Sequence, residues 1–140
     1  MKTAIKPSAR RTAGQALVET ALALGILLLV VLGGIGVLQV QMASYQVQIA
    51  ARTAVGAAAL AGGPSPEAEQ TANLVLDSGM GTSSTKALIS ITCPKGCRRY
   101  RPVSVRIIYR VDVWVPVPGL YDQFFLDYTA VRVSEKDLQP

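Results

Sequence analysis

Three patterns of apolar and polar positions divide the chain. The first is residues 20 to 38, TALALGILLLVVLGGIGVL, nineteen consecutive residues without a charge and without a polar face. A helix of about 20 residues spans roughly 30 Å, the thickness of bilayer hydrocarbon, so this run predicts a transmembrane helix. It is longer than the core helix of a small soluble domain or the apolar region of a secretory signal peptide requires. The second pattern continues the same helix. Val40, Ala43, Val47, Ala50, Ala51, Ala54, Ala58 and Ala61 recur every three or four residues, with glutamines on much of the other face. Gly62-Gly63-Pro64 ends it. From residue 15 to residue 61 such a rod would be roughly 70 Å long. Its stripe of small residues, Ala50 to Ala61, lets a sheet or another helix approach closely.

The third pattern is that of a small α+β domain. Ser65 followed by Pro66, Glu67 and Glu69 is a helix start, and Ala68, Ala72, Val75 and Leu76 give that helix an apolar face. Residues 79 to 84 read as a loop. Three strands follow: 86 to 92, 102 to 117 and 124 to 134. The middle one alternates, with Val103, Val105, Ile107, Tyr109, Val111, Val113 and Val115 on one side and Ser104, Arg106, Arg110 and Asp112 on the other. The expected fold class is α+β: a long N-terminal helix, transmembrane and then amphipathic, packed on a three-stranded antiparallel sheet with a second short helix. The expected segments are a basic leader over 1–14, a transmembrane helix over 15–38, an amphipathic extension over 39–63 and an extracytoplasmic domain over 64–140.

Charge changes this picture at two places. Lys2, Lys6, Arg10 and Arg11 precede Gly14 with no acid among them, and they supply most of the net charge of +5. Basic residues on one flank of an apolar run place that flank in the cytoplasm, and the C-terminal domain then lies outside an inner membrane. The second place is Glu19, a carboxylate at the head of an apolar run whose next charge is Arg52. It can be read as a headgroup-level charge near a helix N-terminus. It can also be read as part of a processing site, Gly14-Gln-Ala-Leu-Val-Glu19. Cleavage after Gly14 would make Gln15 the N-terminus and set its amine one helical turn from Glu19.

The basic leader, Gly14, Glu19 five residues later and the long apolar helix resemble the class III signal of type IV pilin-like proteins. The wording GQALVETALALGILLLVVLGG is more specifically similar to TadE-like pilins of tight-adherence (Tad) systems, over residues 14 to 32. Thr20 stands where that family usually has phenylalanine, and Gly25 where proline often sits. AARTAVGAAALAG and the closing DYTAVRVSE resemble the family as well. The resemblance implies a minor pilin or pseudopilin, cut after Gly14 by a prepilin-type peptidase, with Glu19 setting the register of a helix bundle. It implies as partners the lipid bilayer, that peptidase, other pilins and inner-membrane Tad assembly proteins, and a place in an extracellular pilus. The alternative is an unprocessed single-pass anchor presenting a binding domain.

The outer domain adds two features. Cys93 and Cys97 bracket Pro94-Lys95-Gly96, and in an oxidising compartment they are expected to pair, free thiols being the alternative. Lys95, Arg98, Arg99, Arg101 and Arg106 make a candidate basic surface patch around Tyr100. Aromatics among bases can bind nucleic acid. A solvated loop, beside anionic lipid or facing an acidic partner subunit, is the favoured reading of this patch. The chain has no histidine, so the usual neutral-pH base and the commonest metal ligand are missing. No catalytic constellation, metal site or cofactor motif is visible, and an enzyme is not expected.

Overall fold

Helix α1 runs from Ala9 to Ala61 in the computed structural model, which describes residues 9 to 113 and 123 to 137. Residues 1 to 8 of the expected leader and 114 to 117 of the expected middle strand lie outside the described residues. The chain forms two units, up to Ile35 and from Gly36 onward. In the first unit α1 is helical through Gly14, Glu19 and Gly25. Leu17, Leu22, Ile26, Leu29 and Val30 are among its many exposed apolar side chains. Within the described residues this is a helix long and apolar enough to cross a membrane, and none of its most apolar window is buried by protein.

In the second unit α1 changes character. Ala43, Val47, Ala50, Ala51, Ala54, Val55, Ala58 and Ala59 are buried, while Arg52 and Thr53 on the opposite side are exposed. Alanine suits this face twice: it favours the helix and lets the backbone approach a neighbour closely. The helix ends as the glycines predict. Gly62 takes φ 91°, and the N–H of Gly63 donates to Ala58 O at 2.9 Å, which satisfies an otherwise unpaired terminal carbonyl.

Helix α2 spans Pro66–Ser78. Its cap is Ser65, whose hydroxyl accepts from the N–H of Ala68 at 3.2 Å, and it buries Ala68, Ala72 and Leu76. A single 3-10 turn, Ser84–Lys86, precedes the sheet. Lys86 therefore belongs to that turn, not to the first strand. The cause is Asp77 at the end of α2, whose carboxylate accepts from both the N–H and the hydroxyl of Ser84.

Strands β1 (Ala87–Thr92), β2 (Pro102–Asp112) and β3 (Gln123–Val133) form an antiparallel meander in the order β1-β2-β3. Register sets three inward rows: Ala87–Tyr109–Leu126, Ile89–Ile107–Tyr128 and Ile91–Val105–Ala130. These rows, the alanine face of α1 and the apolar face of α2 make one core. Val103, Val105, Ile107 and Tyr109 in the central strand are essentially fully buried. Strand β3 begins and ends one residue earlier than its sequence pattern suggested. Ser134 leaves the strand because its groups bond to α1 and to the loop before β2.

Candidate assembly helix and basic loop

The sequence-predicted residues fall in two separate places. Gly14, Gln15 and Glu19 lie on the apolar part of α1, all exposed. A Cβ added to Gly14 would meet nothing within 4 Å, so nothing in the fold requires a glycine there. Glu19 is inside the helix, ten residues from its first residue, and is not an N-terminal capping charge in the intact chain. Next to it, the Thr20 hydroxyl donates to Ala16 O at 2.8 Å, which hides this polar group against its own helix. Glu19 is thus the one charge on α1 between Gly14 and Arg52.

The other residues belong to the outer domain. Cys93 and Cys97 are joined by a disulfide with a Cα–Cα distance of 5.2 Å. Inside it, Gly96 takes φ 84°, and its N–H donates to Cys93 O at 3.1 Å. A turn with that sign of φ is what glycine permits. The loop continues to Tyr100, the one described non-glycine residue with a left-handed backbone, φ 64°. That conformation is held from outside. The N–H of Tyr100 donates to Ser134 O at 2.9 Å, and the N–H of Ser134 donates to Arg101 O at 2.8 Å. Ser134 is itself buried and hydrogen-bonds through its hydroxyl to Lys136 O and Ala59 O. The N–H of Glu135 also donates to Ala59 O, so the loop, the end of β3 and the end of α1 form one joint.

This joint is remote from the start of the unit. Gly36 lies against Val113, just past the end of β2, whereas residues 93–101 precede its first residue, Pro102. An eleven-residue strand separates them, roughly 35 Å. The basic loop therefore sits at the end of the sheet opposite Val113 and Gly36.

The cations named from sequence do not form one patch. Lys95, Arg98, Arg99 and Arg101 are exposed in the loop, with the Arg99 guanidinium 4.9 Å from the centre of the Tyr100 ring. Arg106 is on the outer face of β2, where its Nε donates to Asp127 Oδ1 at 2.9 Å. That guanidinium holds the Asp127 carboxyl below its ordinary range, through the hydrogen bond first and the charge second. At the other end of the sheet, Lys86 and Arg110 both bind Asp112, each at 2.9 Å. The hydrogen bond from Lys86 is the larger cause lowering the Asp112 carboxyl, followed by that from Arg110.

Three residues that position these features carry only weak sequence signals. Ser134 is a serine after a strand, Tyr109 one more member of an alternating run, and Gly79 one glycine in a loop. Yet the Tyr109 hydroxyl accepts from the N–H of Ser83 at 3.1 Å inside the core. A Cβ on Gly79 would come within 2.9 Å of Gln46 on α1 and closer still to Thr82.

No curated protein and no solved structure matches the chain. A family model does match, ending before α2 and the sheet: residues 14–55 fit the one described as TadE-like protein, so the segment that holds Gly14, Glu19, the apolar run and the start of the alanine face is a TadE-like one.

Proposed function

We propose that this chain is a structural minor pilin or pseudopilin that is cut after Gly14 by a prepilin-type peptidase and helps assemble a Tad-type pilus for adhesion or secretion. The TadE-like match associates it with Tad pilus components. The observation that carries the finer reading is the apolar helix whose side chains no other part of the described protein covers, with Glu19 as its single charge before Arg52. Lipid would cover that surface in the isolated subunit, and neighbouring pilin helices in a filament. The four leader bases support a cytoplasmic N-terminus, which puts the α+β domain outside the inner membrane.

Cleavage asks for a local change. Gly14 lies within α1, five residues from its start, and a peptidase needs the chain opened there. Helix ends fray, and glycine is about 1 kcal/mol worse than alanine in a helix, so opening from Ala9 to Gly14 is cheap. After the cut, Gln15 carries a free amine one turn from the Glu19 carboxylate. At the headgroups the pair is wet and weak. When helices bundle and water leaves, an unpaired carboxylate becomes costly, and only a register that brings an amine to each carboxylate avoids this.

The test is Glu19→Leu. It should insert in the membrane as the wild type does, still be cleaved after Gly14, and fail to co-purify with the other pilins. Wild-type incorporation into filaments would refute the register role of the carboxylate.

A further inference from the structure

The sheet and the loop before β2 treat their cations differently. Each of Lys86, Arg106, Arg110 and Arg132 on the sheet or its border has a carboxylate partner: Asp112, Asp127, Asp112 and Glu135. Among the described residues, Lys95, Arg98, Arg99 and Arg101 form no ion pair, although all lie within seven residues of one another. Two acids border them. Glu135 pairs with Arg132, and Asp137 accepts the backbone N–H of Arg99 at 2.8 Å. One carboxylate, Asp137, thus stands against four cations, and the loop keeps a net positive charge at the end of the sheet farthest from Gly36.

The backbone fixes this cluster in place. The disulfide closes one end of the loop and Ser134 clamps the other. Between them Tyr100 is held left-handed, a conformation costly for a residue with a Cβ, and the residue is 71% exposed. A core would use a tyrosine ring by burying it; here the residue is exposed and the Arg99 guanidinium lies over one face of the ring, 4.9 Å from its centre. Forked guanidinium groups fit phosphate oxygens in pairs, and an exposed ring offers a stacking surface to a base.

We propose that residues 93 to 101 form a binding site for single-stranded nucleic acid, in which Lys95, Arg98, Arg99 and Arg101 hold consecutive phosphates and Tyr100 stacks on an unpaired base. A single strand fits better than a duplex because the ring can be reached only by a base free of its own partner. Binding requires neither cleavage at Gly14 nor pilus assembly, so its outcome is independent of that reading.

Fluorescence anisotropy of a labelled oligothymidylate, titrated with the full chain in detergent, tests the site. Four phosphate contacts on a single strand give a log–log salt slope of about −3, so affinity should fall about 50-fold between roughly 50 and 200 mM salt. The combined change Arg98→Ala, Arg99→Ala and Arg101→Ala should weaken binding more than tenfold. Tyr100→Gly keeps the backbone N–H that Ser134 accepts and relieves the left-handed strain, so its melting temperature should hold or rise while binding falls about tenfold. Absence of salt-sensitive binding would overturn the proposal. So would Tyr100→Gly binding like the wild type, or displacement of the oligonucleotide by an acidic polysaccharide at equal charge, which marks a site for polyanions at large.

Discussion

Replacing Ala54 with leucine tests whether the second half of α1 is built to lie on the sheet. Ala54 is fully buried in the core that also holds Val105, Ile107 and Tyr109. Leucine adds three carbons where no space is left, and overpacking of this kind costs typically 1–3 kcal/mol. A loss of about 2 kcal/mol in a domain of this size lowers the melting temperature by about 8–16 °C. The same change at Ala23, exposed on the apolar run, adds the same carbons where nothing packs and should leave the domain's melting temperature where it was. Arg52→Leu, on the exposed side of the same helical turn, should move it by less than about 0.5 kcal/mol equivalent. Near-ultraviolet circular dichroism of the full chain in micelles reads the transition through the buried Tyr109. Equal melting of Ala54→Leu and Ala23→Leu would refute the packing of the alanine face.

Cys97→Ser opens a very short loop and should cost about 2 kcal/mol in the chain-entropy account; alkylation of both cysteines without reductant would show instead that they are free in the native envelope. Gly79→Ala should destabilise by about 1–3 kcal/mol, because its Cβ meets Gln46 and Thr82; Gln46→Ala in the same chain should restore part of that loss. Asp112 and Asp127 have carboxyls lowered by their cationic partners, so their pairs stabilise above the ordinary carboxylate range near pH 4 and are lost as pH falls below it. Thermal melts at about pH 6 and about pH 3 should therefore differ less in Asp127→Asn than in the wild type.

The period-two run of β2 and the small-residue period of α1 are strong because each repeats many times and one side of each is buried in the same core. They were enough to read the helix-on-sheet fold and the strand order from residues alone. The cap at Ser65 was equally plain, since Pro66 and two glutamates follow it. What failed to show was set by contacts between distant residues. Lys86 was drawn into a turn by Asp77, nine residues before it. The left-handed Tyr100 depends on Ser134, and no side-chain type announces it. Counting the basic residues joined Arg106 to the loop, whereas it lies in β2 opposite Thr129 and reaches diagonally to Asp127. In the apolar helix the reverse holds. Gly14 and Glu19 are legible as motif residues, yet among the described residues the fold gives them no side-chain partner, and the proposed account assigns them one outside the chain.

Processing is the step on which the pilin account stands, and the mass of the mature chain measures it directly. Protein extracted from sheared filaments or from the native envelope, analysed intact and by N-terminal sequencing, should begin at Gln15 and lack Lys2, Lys6, Arg10 and Arg11. Gly14→Val, which puts a branched side chain before the scissile bond, should retain residues 1 to 14 and be absent from filaments. Filament protein that still carries residues 1 to 14 would contradict the account.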